Sequence, residues 1–132
     1  MDPVLHLSIV VADLDESRHF YVDVLGCRPG RAHRTWMDVW FFGLQLTLHQ
    51  QPDLVLPPRL QGNRHFGVTL DADEFEALVA RVQGVPDIRW VAPVSTDYSG
   101  TARQQTKGKL VDPSGNVIEL KTYVDPEAAF AP

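Results

Sequence analysis

Three residues far apart in the chain carry side chains that could together bind a metal ion: His6, His65 and Glu119. Each lies in a short apolar segment of the kind that forms a β-strand. Two imidazoles and one carboxylate make a facial triad that can hold Fe(II), Mn(II) or Zn(II) and leave coordination positions open for a substrate. A charged glutamate in an apolar strand is costly unless it is paired, and a bound metal ion would be such a partner.

The setting of these residues is repeated within the chain, and that repetition favours the metal hypothesis. A single histidine or glutamate on a strand is more often a solvated residue or a satisfied polar group than a ligand. Here, however, His6 and His65 each begin a predicted strand that is followed by an acidic turn and an amphipathic helix. Glu119 follows a Pro-Ser-Gly-Asn turn.

The elements that must position these residues also repeat. The first half is predicted to form a strand at 4–12, a helix at 14–25 capped by Asp13, and strands at 27–32, 35–42 and 44–50. The second half is predicted to form a strand at 65–71, a helix at 73–83 capped by Asp71 or Asp73, a strand at 88–92, a polar loop at 95–103, and strands at 105–111 and 116–123.

This order predicts an α+β fold made of two tandem βαβββ modules, which form an open, curved, mixed β-sheet with a metal site in its cleft. The single domain, 1–132, would consist of a module at 4–50, a linker at 51–64, a module at 65–123 and a surface tail at 124–132. The two histidines take equivalent places in the repeats. Four residues after the turn glycines Gly43 and Gly115, the first repeat has Thr47 where the second has Glu119.

Composition excludes several classes of protein. The chain has 132 residues and a net charge of -5, so it lacks the basic stripe that nucleic-acid binding requires. No apolar run approaches the roughly 20 residues that span a bilayer. The start of the chain does not resemble a signal peptide, and a cytoplasmic location is expected. The single cysteine, Cys27, allows no intrachain disulfide and is interpreted as a small buried hydrophobe rather than a nucleophile.

Three segments resemble the vicinal oxygen chelate superfamily, which includes glyoxalase I, extradiol dioxygenases, fosfomycin-resistance enzymes and bleomycin-binding proteins. They are HLSIVVADLDESRHFYVDVLG (6–26), HFGVTLD (65–71) and LVDPSGNVIELK (110–121). The closest sub-pattern, that of short extradiol-type dioxygenases, is similar to YVDVLGCRPGR (21–31), WMDVWFFGLQLTLH (36–49) and QTKGKLVDPSGNVIELK (105–121). The resemblance implies that His6, His65 and Glu119 are ligands of a divalent metal, with Fe(II) favoured and Zn, Mn or Ni as alternatives.

The sequence departs from the pattern of this superfamily at two places on the predicted fourth strand. Glyoxalase-type sites with four ligands take a carboxylate from that strand, which here offers only Gln45, Thr47 and His49. The departure disfavours glyoxalase I and fits a three-ligand site with open positions. Leu44 stands where the short dioxygenase-like family commonly has histidine.

Other residues are predicted to contact the substrate. His49 could act as a general acid or base, and Tyr98 could donate a hydrogen bond to an oxyanion. The candidates for substrate binding are Gln45, Arg103, Gln105 and Trp36. The competing interpretations are a rim histidine for His49, a hydrophobic wall for Tyr98, a solvated loop residue for Arg103, and a core or dimer contact for Trp36.

The function that these features predict is a divalent-metal-dependent enzyme, an extradiol-type dioxygenase acting on a catechol-like or other vicinal-oxygen small molecule. The alternatives are a glyoxalase-like isomerase or lyase, a thiol transferase, and a bleomycin-resistance-type protein that binds a small molecule without catalysis. A symmetric homodimer that buries more than roughly 1,000 Å² is also expected, because the chain has aromatic surface to cover. These aromatic residues are Trp36, Trp40, Phe41, Phe42 and Trp90.

Overall fold

The computed structural model describes all residues, 1–132, which form two compact units. The first unit comprises 1–63 and 112–116, and the second comprises 64–111 and 117–132. Each contains one four-stranded mixed sheet. The predicted pair of βαβββ modules is therefore confirmed, with two four-stranded sheets in place of one continuous sheet. No helix has the length and apolar character needed to cross a membrane.

In the first unit the strands lie in the order β1-β4-β3-β2. Their bounds are His6–Val11 (β1), Arg28–Ala32 (β2), Trp36–Phe41 (β3) and Leu44–Gln50 (β4). β1 pairs with β4 in parallel, and the remaining pairs are antiparallel. β1 thus lies at an edge of its sheet.

The sequence predicted one continuous α-helix at 14–25 in the first module, and this prediction is wrong. Helix α1 spans Leu14–Arg18 and continues as a π-helix over His19–Val24. Its start is as predicted, because the Asp13 carboxylate accepts a hydrogen bond from the backbone N–H of Glu16 at 2.8 Å. The linker is also partly ordered, with a 3₁₀ turn at Pro52–Leu54 and a short helix, α2, at Pro58–Gln61.

In the second unit the strand order is β5-β8-β7-β6, with β5 parallel to β8. The elements are β5 (Phe66–Thr69), α3 (Ala72–Gln83), β6 (Trp90–Asp97), β7 (Gln105–Val111), β8 (Val117–Tyr123) and a 3₁₀ helix (Pro126–Phe130). Asp71 rather than Asp73 precedes the helix, and its side chain makes no capping hydrogen bond.

The sequence predicted a polar loop at 95–103, and its predicted first residue is too early in the chain. Residues 95–97 belong to β6, which starts at Trp90 and pairs with β7 as far as Asp97. Between Trp90 and Ser95 the register of β6 against β7 shifts at bulges or irregularities, and the two strands stay paired on both sides of them. Such a bulge leaves no clear alternation in the sequence, which explains the error.

One face of each sheet packs on a helix, and this packing decides what the other face can carry. The buried strand side chains include Met37, Val39, Phe41, Leu46 and Leu48 in the first unit and Leu110, Ile118 and Leu120 in the second. Because side chains alternate along a strand, the residues between them lie on the opposite, more polar face. Phe41 is 1% exposed, so the prediction that it helps to form a dimer surface is wrong.

The turn between β7 and β8 belongs to the first unit and is organised around Asp112. This carboxylate is 2% exposed and accepts hydrogen bonds from the backbone N–H groups of Ser114 and Asn116, both at 2.9 Å, and from the Tyr21 hydroxyl at 2.8 Å. The Asn116 amide also donates to the carbonyl of Val10 at 3.0 Å. Burial raises the pKa of Asp112, and the hydrogen bonds from Asn116 and Tyr21 offset only part of that effect.

Replacing Tyr21 with phenylalanine should lower the free energy of unfolding by about 1–2 kcal/mol, because the buried Asp112 carboxylate loses a donor. Urea unfolding at pH 7 measures this change. The matched control is Tyr98→Phe, because Tyr98 is 60% exposed and its loss should cost no more than about 0.5 kcal/mol.

The same variant carries a pH signature. Burial, and then the charge of Asp112, raise the pKa of Tyr21 well above its usual value of 10.0. The stability that Tyr21 contributes is therefore complete below pH 10.0 and is lost as the pH rises towards the folded-state pKa. The stability gap between wild type and Tyr21→Phe should narrow above that pH. A gap that stays constant would contradict the assignment.

Candidate metal centre

The polar face of the first sheet brings together several residues that the sequence singled out. In the strand register, His6 lies opposite Gln45 and Ser8 opposite Thr47. Across the other side of β4, Trp36 lies opposite His49. Directly opposed residues share a face, so the predicted common face of Gln45, Thr47 and His49 is confirmed and also includes His6 and Trp36.

His6 is exposed, and its two hydrogen bonds define how it can act as a ligand. Its Nδ1 lies 3.2 Å from the carbonyl oxygen of Gln45, and its Nε2 lies 3.2 Å from the Ser8 hydroxyl. A carbonyl only accepts, so Nδ1 must carry the proton. In the neutral ring Nε2 then holds a lone pair, which accepts a hydrogen bond from the Ser8 hydroxyl. Metal-binding histidines are commonly oriented by this kind of hydrogen bond from the other ring nitrogen.

The register confirms that the two histidines are equivalent. Thr47 lies opposite Ser8 in the first unit, and Glu119 lies opposite Gly67 in the second. His6 and His65 each precede that opposed residue by two positions. The repeats therefore offer the same location twice, with a hydroxyl in one and a carboxylate in the other.

In the second unit, His65 and Glu119 line an open depression of about 240 Å³ with Gly67, Thr69 and Lys121. The His65 Nε2 and Glu119 Oε2 atoms are 4.0 Å apart. Two ligand atoms that share one ion, each at about 2.1 Å, can be separated by no more than about 4.2 Å. The pair lies just inside that limit, and the two atoms would have to approach by about 1 Å to become neighbouring ligands of a facial triad.

Glu119 has partners in this structure, and they are lysines. The Lys121 Nζ lies 3.1 Å from Oε1, and the Lys109 Nζ lies 3.8 Å from Oε2. Burial alone would lower the pKa of Lys121, but the hydrogen bond and negative charge of Glu119 outweigh it and raise the pKa. The charge of Glu119 is therefore offset by lysines in this structure, and its role as a metal ligand stays a prediction. Sequence reasoning missed Lys109, although counting equal steps from the β7–β8 turn places it opposite Glu119.

A second charged group missed from the sequence lies on the polar face of the first sheet. Asp38 is 1% exposed and accepts hydrogen bonds from Thr47 Oγ1 at 2.7 Å, Arg31 Nε at 2.7 Å and Gln45 Nε2 at 3.3 Å. Burial alone would raise the pKa of Asp38, but the hydrogen bonds from Thr47 and Arg31 and the charge of Arg31 lower it. The hydroxyl of Thr47 is thus committed to Asp38.

The other residues predicted to contact the substrate are not among the partners described for His6, His65 and Glu119. Trp36 is half-buried, stacks on His33 at 5.4 Å between ring centroids and lies beneath the Arg31 guanidinium at 5.1 Å. Gln105 begins β7 and shares the face of Glu119. Tyr98 and Arg103 are exposed, and neither belongs to the ion pairs of Glu119. These last two assignments stay predictions.

Within the chain, no group of three or more His, Cys, Asp or Glu side chains is arranged to hold a metal ion. The donor chemistry nevertheless fits one. His65 and Glu119 are within sharing distance in the second unit, and His6 presents an oriented imidazole in the first.

Comparison with known proteins identifies the family. The Glyoxalase/Bleomycin resistance protein/Dioxygenase superfamily matches residues 4–120. The chain belongs to this superfamily, also called the vicinal oxygen chelate superfamily. No protein of curated function matches the sequence.

Solved structures of the superfamily have the same fold. A glyoxalase/bleomycin resistance protein/dioxygenase from Alicyclobacillus acidocaldarius is 32% identical, with a TM-score of 0.83 and coverage of 96% of both chains. The fosfomycin resistance protein FosX from Listeria monocytogenes is 12% identical, with a TM-score of 0.77, covering 97% of this chain and 98% of its own. Lactoylglutathione lyase from Agrobacterium tumefaciens is 15% identical, with a TM-score of 0.62 and coverages of 92% and 94%. The last two share the fold alone.

Replacing Gly67 with alanine should disturb the candidate centre through the backbone. A Cβ atom at this position would overlap the carbonyl oxygen of Glu119. Relieving the overlap must move β5 away from β8 and should cost about 1–3 kcal/mol in urea unfolding. Gly84→Ala is the control, because its Cβ would lie 3.5 Å from the nearest atom, an ordinary contact. Equal stability of the two variants would contradict this packing.

Proposed function

We propose that this protein is a divalent-metal-dependent enzyme that binds a small molecule through two neighbouring oxygens. His6, His65 and Glu119 would be the metal ligands. The observation that carries the proposal is the pair formed by His65 and Glu119 at 4.0 Å, together with the equivalent imidazole of His6, which the contact between its Nδ1 and the Gln45 carbonyl orients.

A three-ligand centre is favoured over a four-ligand one. The position of the first module that corresponds to Glu119 is Thr47, and its hydroxyl donates to Asp38 at 2.7 Å. A neutral hydroxyl engaged in this way is a poor metal ligand. Fewer protein ligands leave more positions open, which supports an extradiol-type dioxygenase acting on a catechol-like molecule, with Fe(II) as the proposed metal.

Bound Fe(II) would supply Lewis-acid polarisation of two substrate oxygens and an open position for dioxygen, and the catechol itself would be the net electron donor, with both oxygen atoms of dioxygen entering the product. The chain's own residues would do the rest. Gln45 orients His6 through its backbone carbonyl, and the ring of Trp36 offers a flat wall for an aromatic substrate. His49, half-buried on the same face, would take a proton from a substrate hydroxyl. Tyr98, Arg103 and Gln105 remain proposed contacts from the second module.

We further propose that the site is completed in a homodimer. His6 begins an edge strand of its own sheet, and His65 directly precedes the edge strand of the other. Open edges are suited to meeting a second copy. In this arrangement His65 and Glu119 would share an ion with His6 of the partner subunit, and two equivalent sites would result.

Metal content of protein purified without oxygen tests the function directly. We expect about one iron per chain, and catechol plus dioxygen should give a yellow ring-opened product. His65→Ala should lose metal affinity by more than about 100-fold, the upper range for losing a residue that only supports a ligand. The control is His19→Ala, because that exposed histidine pairs only with Asp23. Zinc or nickel without oxygen uptake would support a glyoxalase-like isomerase or lyase instead. A metal-free protein that still binds small molecules would support a bleomycin-resistance-type binding protein.

Mixing two inactive variants tests the dimeric site. His6→Ala and Glu119→Gln each remove one ligand. If ligands come from two chains, a mixed dimer regains one intact site of two, and random mixing restores about a quarter of the wild-type metal content. If all ligands come from one chain, mixing restores nothing. Light scattering at 14.8 kDa, the mass of one chain, would also refute the dimer.

A further inference from the structure

The polar face of the second sheet carries more positive charge than its carboxylates balance. Lys107 lies opposite Lys121, and Lys109 lies opposite Glu119, so three ammonium groups share one face. Lys107 has its own partner, because its Nζ lies 3.1 Å from Asp97. Lys109 and Lys121 are left to share the single carboxylate of Glu119.

The sharing is unequal. Lys121 makes a hydrogen-bonded ion pair with Glu119 at 3.1 Å, whereas Lys109 makes only a long contact of 3.8 Å. Both side chains are mostly buried, with 26% and 27% of their surface exposed. Salt screens such charges less than it screens exposed ones. One lysine would neutralise Glu119, so the second is not explained by that ion pair.

Metal binding would weaken the hold of Glu119 on both lysines. An ion shared with His65 would bind Oε2 of Glu119, the oxygen nearest Lys109, and would withdraw negative charge from Oε1, which now accepts from Lys121. A divalent ion and Glu119 together carry one positive charge, and Lys109 and Lys121 add one each. The loaded site would therefore hold a divalent ion and two ammonium groups against the single carboxylate of Glu119.

We infer that Lys109 and Lys121 select a chelating ligand that carries an additional acidic group. That group would bind the two ammonium groups while the neighbouring oxygens of the ligand bind the metal. Lysine suits this task because its compact charge and rotatable donors accept a carboxylate, phosphonate or phosphate without fixed geometry. This inference rests on the metal site proposed above and adds the charge class of the substrate.

Binding to the Zn(II)-loaded protein tests the inference without turnover. The two probes are catechol and 3,4-dihydroxybenzoate, which share the chelating hydroxyls and differ by one carboxylate. Calorimetry should give at least about tenfold tighter binding of 3,4-dihydroxybenzoate to the wild type. The double variant Lys109→Met, Lys121→Met should bring that ratio close to one. The control Lys107→Met removes a lysine from the same face and should keep the ratio, because Asp97 holds its ammonium group.

A second readout separates ligand selection from a structural role. Lys121→Met should bind Zn(II) more tightly than the wild type, because Glu119 loses a competing donor and the site loses a like charge. A merely structural lysine would lower the melting temperature and leave both metal affinity and the probe ratio unchanged. If Zn(II) does not bind the wild type, the proposed metal site and this inference both fail. If Zn(II) binds but the two probes bind equally, or the double variant keeps the ratio, only this inference fails.

Discussion

The register between the first and last strand of each module is the constraint on which the candidate site depends. Burying Ile118 and Leu120 against the interior forces Glu119 between them onto the open face. A slip of one residue would bury the carboxylate and expose both apolar side chains, which the packing strongly disfavours. The parallel pairing of β5 with β8 then brings His65 to the same depression, and the absence of a side chain at Gly67 lets the two strands approach this closely.

That constraint also explains what the sequence could predict. Clean alternation, as in Leu44–Gln50, defined the strands and the shared faces, and the repeated setting of the two histidines defined two modules. Three features of the structure could not be predicted from the alternation of apolar and polar residues. A change to π-helical bonding at His19 depends on how the helix packs, and the extension of β6 to Asp97 depends on a bulge. The burial of Asp38 depends on partners from two other strands, since an isolated aspartate among tryptophans does not reveal them.

Charge gives the two modules different roles. In the first, Asp38 is satisfied by Thr47 and Arg31, so its negative charge is already neutralised within the sheet. In the second, Glu119 is surrounded by cationic groups with which the proposed metal ion would have to compete. These ion pairs avoid the cost of an unpaired buried charge when no metal ion is bound. In the proposed metal-bound state, this competition would link metal binding to the positive charge that Lys109 and Lys121 present to a ligand.

The central claim is that one ion is held by two imidazoles and the carboxylate of Glu119. The most direct measurement is proton NMR of the protein loaded with Co(II), in which the ring N–H protons of coordinated histidines are shifted far from the normal range by the paramagnetic ion. The wild type should show two such exchangeable resonances. The one from His6 should exchange slowly because its Nδ1–H is hydrogen-bonded to Gln45. One resonance should vanish in His6→Ala and the other in His65→Ala. A spectrum that keeps both resonances in either variant would contradict the account.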